Sequence, residues 1–121
     1  MTTPENDRRI DYIELPAHNY EASKAFYGEV FGWSFTDYGP GYCSFDDGRL
    51  QGGLDASVTG AKGGALVVFY ANDLESTLAR TRKAGATITR EIFSFPGGRR
   101  FHFLDPSGNE LAVWCVVPAA S

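Results

Sequence analysis

A chain of 121 residues with 43% hydrophobic and 21% charged residues has the make-up of one globular domain with a moderate core. A formal charge of -4 and a pI near 5.0 argue against nucleic acid as a partner, which needs clustered Lys and Arg. No apolar run approaches the roughly 18 residues of a membrane span, so no membrane partner is expected.

Residues 1–9 form a polar tail with no apolar leader segment, which predicts a cytoplasmic protein. The segment Arg9 to Pro16, RIDYIELP, alternates and ends at proline, so it predicts a strand. Asn19 then stands as an N-cap with Glu21 in the first turn. Ala22, Phe26 and Val30 recur at helical spacing, and Gly32 stops the helix in the left-handed manner. WSFTDY, YCSF and RLQGGLDA predict three short strands separated by GPG and DDG turns.

The plan then repeats. Ser57 to Gly64 is a flexible linker, and Ala65 to Ala71, ALVVFYA, is the most hydrophobic run, which predicts a buried strand. Asn72 is expected to cap a second helix, with Glu75 completing a capping-box-like pair. Leu74 and Leu78 face the core, Arg80, Arg82 and Lys83 complement the C-terminal dipole, and Gly85 stops the helix. TITREI, RRFHFLD and NELAVWCVV predict three more strands. Asp105-Pro106-Ser107-Gly108 joins the last two as a hairpin turn. FPGGRR, Phe95 to Arg100, reads either as an ordinary Gly-rich connection or as a mobile loop over a pocket mouth. Cys43 and Cys115 lie in apolar strands without CxxC spacing and read as reduced, buried thiols. The predicted domain spans 10–118, with a module at 10–56, a linker at 57–64 and a module at 65–117. Each module reads βαβββ, so the fold class is α+β, two modules around a barrel-like cleft.

AFYGEVFGW (Ala25 to Trp33), NDLESTLARTRKAGATI (Asn72 to Ile88) and FLDPSGNELAVW (Phe103 to Trp114) carry a resemblance to the vicinal oxygen chelate superfamily. That superfamily groups glyoxalase I, bleomycin-resistance proteins and extradiol dioxygenases. The resemblance runs from about Ile10 to Val117 and implies the glyoxalase/bleomycin-resistance fold. It also implies a homodimer. One scaffold hosts many activities, so function must come from the site.

Catalytic members of the family take one metal ligand from each of four strands. The resemblance puts those positions on Tyr12, near Gln51, on Leu66 and on Ala112. Leu66 and Ala112 offer no donor atom, so the resemblance implies no metal and no cofactor here, and argues against metal-dependent dioxygenase chemistry. With these positions facing inward, strand alternation adds Glu14, Val68, Tyr70, Glu110 and Trp114 to the cavity wall. Phe101 and Phe103 suit the core, which leaves Arg100 and His102 for the cavity.

The expected function is therefore binding of a small-molecule ligand without the usual chelate. Tyr12, Tyr70 and Trp114 would stack it, and the acidic groups Glu14 and Glu110 would attract a cationic one. The alternative is a glyoxalase-type isomerase or lyase with Glu14 or His102 as the acid-base and Arg100 stabilising an enolate-like oxygen. Two further possibilities stay open: a structural Glu14–Arg100 salt bridge, and His102 as a wall residue or metal ligand. His18 precedes the first N-cap and is expected to be solvated.

Overall fold

The computed structural model describes residues 7–60 and 64–117. Two four-stranded sheets and two helices follow in the order βαβββ twice. The first module has β1 (Tyr12–Pro16), α1 (Tyr20–Phe31), β2 (Ser34–Asp37), β3 (Tyr42–Asp46) and β4 (Gln51–Asp55). The second has β5 (Val67–Tyr70), α2 (Leu74–Lys83), β6 (Thr87–Phe95), β7 (Gly98–Leu104) and β8 (Glu110–Val116). The first sheet has strand order β1-β4-β3-β2 and the second β5-β8-β7-β6, with β1–β4 and β5–β8 parallel. The expected βαβββ repeat is thus present, and the two sheets are not closed into a barrel. Part of the expected linker, residues 61–63, lies outside the described residues.

β1 starts at Tyr12 rather than Arg9 because its ladder partner does. Tyr12 pairs with Gln51, and beyond Gln51 the chain turns away through Asp47, Gly48 and Arg49. Helix α1 buries Phe26, Tyr27 and Val30 and ends on Gly32 in the left-handed region at φ 70°. Asn19 holds the N-cap position without capping through its side chain. Its Nδ2 donates to the Pro106 carbonyl at 3.3 Å, and its backbone N–H donates to Ser107 Oγ at 3.1 Å.

The second helix starts one residue later than expected. Asp73, not Asn72, is the N-cap, and its carboxylate accepts from the Ser76 N–H at 3.0 Å. Glu75 closes no capping box: with Asp73 as the cap it stands at N2 rather than N3, and its carboxylate accepts two donors from Arg99, at 2.5 and 3.1 Å. Thr77 and Thr81 lie on the buried face of α2 beside Leu74. Each hydroxyl donates to the carbonyl four residues back, which satisfies it without leaving the helix.

The core sits on one face of both sheets, beneath the helices. Leu15, Cys43, Phe45 and Leu54 line it from the first sheet, and Phe101, Phe103, Leu111, Val113 and Cys115 from the second. α1 belongs to both: Tyr27 stacks on Trp33 at 4.3 Å, while Phe31 stacks on Phe69 at 4.0 Å. The Asp105–Gly108 turn joins the modules. Asp105 accepts from the Ser107 and Asn109 N–H groups, from Asn109 Nδ2 and from the buried Tyr27 hydroxyl at 2.7 Å. Ser23 and Ser107 hydroxyls meet at 2.6 Å, and Asn109 Nδ2 also donates to the Pro16 carbonyl at 2.7 Å. Burial and the Asp105 carboxyl push the Tyr27 phenol well above its ordinary range, which keeps it a donor.

The expected buried strand, β5, is buried on one face only. Val67 and Phe69 point to the core, whereas Val68 and Tyr70 are 42% and 50% exposed on the opposite face. A continuous apolar run conceals this alternation. The connection between β6 and β7 is a tight turn at Pro96–Gly97, with Gly97 at φ 99°, so the ordinary-connection reading describes it.

Candidate functional site

The faces of the sheets away from the helices carry the residues expected to line a cavity. On the second sheet they form two rows across the strands. Val68, Ala112, His102 and Arg90 are successive ladder partners, and so are Tyr70, Trp114, Arg100 and Phe93. Ala112 is fully buried between its neighbours, and His102 is 7% exposed.

Arg90 and Phe93 are three residues apart yet share this face. Register shifts on either side of Arg90 allow it, since an extra residue in one strand reverses the side-chain parity. Strict alternation from the core-facing Ile88 and Ile92 therefore finds Thr89 and Phe93 but misses Arg90, and nothing in the sequence marks the shift.

His102 is held from one side. Its Nδ1 lies 3.3 Å from Glu110 Oε2, which also accepts from the Thr89 hydroxyl at 3.2 Å. A carboxylate only accepts, so in the neutral imidazole the hydrogen belongs on Nδ1 and Nε2 carries the lone pair. His102 Nε2 is buried and has no hydrogen-bond partner among the described residues. A hollow of about 290 Å³ opens here, lined by His102, Glu110, Arg90, Leu66, Ala65 and Gly64. Beside it, Arg100 lies 5.3 and 5.4 Å from the Phe93 and Phe95 ring centroids. Trp114 makes edge contact with Tyr70 at 5.1 Å.

The first sheet presents a separate group. The Tyr42 hydroxyl donates to Glu14 Oε2 at 2.8 Å and meets the Tyr12 hydroxyl at 2.5 Å. Tyr42 crosses over Gly53, where any Cβ would collide with its ring. Partial burial and its hydrogen bonds to Tyr12 and Glu14 raise the Tyr42 phenol well above its ordinary range, so it remains protonated. Alternation along β3 could have found Tyr42, because Cys43 and Phe45 face the core. Glu14 makes no ion pair with Arg100, and its carboxylate is held by tyrosine instead. Gln51 pairs with Tyr12 across the ladder and lines a larger hollow of about 660 Å³ near Arg9, Asp46 and Asp47. His18 is exposed, and Cys43 and Cys115 are free and buried.

The four chelate positions do not fit a metal ion. Leu66 and Ala112 are hydrocarbon, and the Tyr12 hydroxyl is engaged with Tyr42. Among the described residues no three His, Cys, Asp or Glu side chains are grouped to hold an ion.

Comparison with known proteins agrees with this architecture. Residues 9–113 match the model of the Glyoxalase/Bleomycin resistance protein/Dioxygenase superfamily, and the chain belongs to that family. A glyoxylase-like domain-containing protein from Didymella fabae is 29% identical over 130 residues, covering 91% of this chain and 94% of that protein. The crystal structure of a glyoxalase-related enzyme from Fulvimarina pelagi superposes with a TM-score of 0.75 at 22% identity, over 89% of this chain and 88% of that one. Lactoylglutathione lyase from Agrobacterium tumefaciens superposes with a TM-score of 0.70 at 25% identity, over 89% and 93%. No helix among the described residues is long and apolar enough to cross a membrane.

Proposed function

We propose that this chain binds a small organic molecule on the open face of its second sheet, without the metal chelate usual in its family. The observation that carries this reading is Ala112. It forms the buried floor between Val68 and His102, at the position where the family resemblance implies a metal ligand. Around that floor, Leu66, Val68, Tyr70 and Trp114 supply apolar and aromatic surface, and His102, Glu110 and Arg100 supply a few polar atoms. This is the composition of a small-molecule site. The family resemblance adds a homodimer in the cytoplasm, and light scattering on the purified protein checks the dimer.

The test has two arms. Elemental mass spectrometry follows incubation with nickel, zinc, iron and manganese, and a thermal-shift screen covers neutral, cationic and anionic small molecules with and without chelator. Stabilisation that is indifferent to chelator supports the proposal. Near-stoichiometric metal surviving dialysis refutes its chelate-free part, and a screen with no stabilising compound of any charge refutes the binding part.

The Glu110–His102 pair favours a second reading, a glyoxalase-type isomerase or lyase in which His102 Nε2 takes a substrate proton. Glu14, the other candidate base, lies under the Tyr42 hydroxyl. On any substrate the protein turns over, His102→Asn is then expected to lower kcat by about 10² to 10⁴. Unchanged kcat would remove His102 as the base.

A further inference from the structure

Among the described residues, no carboxylate neutralises the charge of Arg100. Its neighbour Arg99 points to the opposite face and grips Glu75, Arg82 grips Glu91, and Lys24 grips Asp37. Those three pairs stand at the surface. Arg100 is half-buried, its Nε is buried without a hydrogen-bond partner, and no carboxylate among the described residues lies within ion-pair distance. Its contacts are the faces of Phe93 and Phe95. Arg90 lies over the same Phe93 ring at 3.8 Å, so two guanidinium groups flank one phenyl ring. The chain as a whole is acidic at -4, yet this face carries Arg90, Arg100 and His102, with Glu110 beside His102 as a carboxylate.

A partly desolvated cation without a counter-charge is costly, and aromatic faces compensate only in part. A guanidinium fork matches the two oxygens of a carboxylate in plane. His102 supplies the second constraint. It is 7% exposed and borders the hollow, and its Nε2, without a partner among the described residues, is the acceptor in the neutral imidazole that hydrogen-bonds Glu110 through Nδ1–H. Arg100 and His102 are two residues apart on β7, about 7 Å along the strand. Trp114, Tyr70 and Phe95 provide ring surface next to them.

We propose that the ligand class of this site is a hydroxylated aromatic carboxylic acid, its carboxylate held by Arg100 with Arg90 and its hydroxyl donating to His102 Nε2. The proposal rests on the small-molecule reading above and replaces the cationic ligand that Glu14 and Glu110 suggest in the sequence.

Four probes of equal ring size separate the possibilities: 4-hydroxybenzoate, benzoate, 4-hydroxybenzamide and tyramine. Calorimetric titration measures them. Fluorescence offers a local report, because Trp114 lies on this face whereas Trp33 is stacked in the core. The acid is expected to bind at least about tenfold tighter than its amide, the size of one charge-assisted hydrogen bond converted to affinity. Benzoate is expected to fall between them, and tyramine to be weakest. Arg100→Gln is expected to erase the preference for acid over amide, and Arg100→Lys to keep part of it. Arg90 is exposed, so Arg90→Gln is a second variant that leaves the core untouched, with a smaller loss expected for the acid alone. The wild-type comparison of acid with amide needs no variant at all. Equal binding of acid and amide, tighter binding of tyramine, or full acid affinity in Arg100→Gln would each overturn the proposal. If only the amide or tyramine binds, the small-molecule reading stands and the acid assignment falls. If none of the four binds, the acid assignment falls, and the thermal-shift screen decides the reading beneath it.

Discussion

Tyr27→Phe removes one oxygen from the core and nothing else. The phenol is buried, and its ring stacks on Trp33 at 4.3 Å, contacts that phenylalanine keeps. No cavity of consequence opens, so the effect isolates the 2.7 Å hydrogen bond to Asp105. Asp105 Oδ2 would retain only Asn109 Nδ2 at 2.9 Å, deep in the interior. A buried hydrogen bond to a charged group contributes about 1.5–3 kcal/mol. For a chain of this size that corresponds to a fall in Tm of about 6–12 °C, at about 4 °C per kcal/mol. Urea titration followed by circular dichroism gives the free energy, and a double-mutant cycle with Asp105→Asn isolates the pair. Asparagine would turn an amide toward either Tyr27 or the backbone donors, so the single variant should also be destabilised. A loss below about 0.5 kcal/mol in Tyr27→Phe, with no coupling in the cycle, would refute the argument that this contact joins the modules.

Three further outcomes are expected. Gly52→Ala would drive a Cβ into the Ile13 carbonyl and the Phe45 ring, and should cost about 2–4 kcal/mol in urea titration. The Lys24 ammonium at 2.8 Å holds the exposed Asp37 carboxyl below its usual range, so its contribution is present above about pH 4 and is lost as pH falls through the lowered value. The small Tm difference between wild type and Asp37→Asn, visible at neutral pH, should therefore vanish on acidification. Glu110→Gln should release the His102 tautomer, which ¹⁵N-detected imidazole shifts report; an unchanged Nδ1–H signature would contradict the orienting role of Glu110.

Periodicity and turn chemistry expose the repeat in the sequence because both are local. The left-handed Gly32, the Asp105–Gly108 turn and the Phe101/Phe103 core face are all visible in a few residues. The cap on α2 is misplaced by one residue because Asn72 and Asp73 are both good cap residues, and it is the Asp73 carboxylate that takes the Ser76 N–H. β5 hides its half-exposed state because both of its faces are apolar. The site is legible where strands are regular, as at Arg100, His102 and Ala112, and illegible where β6 shifts register, as at Arg90. The Glu14–Arg100 pair fails because the two lie on different sheets, and Tyr42 reaches Glu14 by crossing the glycine on the strand between them.

The two modules repeat in outline but not in their hairpin turns. The β3–β4 turn is exposed, with Asp46 and Asp47 accepting from its own amides at Gly48, Arg49 and Leu50. The β7–β8 turn is buried and exchanges hydrogen bonds with α1 and β1 of the other module. The halves are therefore not interchangeable parts. A chain built from two copies of the first module would present an outward-facing turn where α1 needs an acceptor. A lone second module would bury Asp105, Ser107 and Asn109 against nothing. This one turn distinguishes the two halves and makes each dependent on the other.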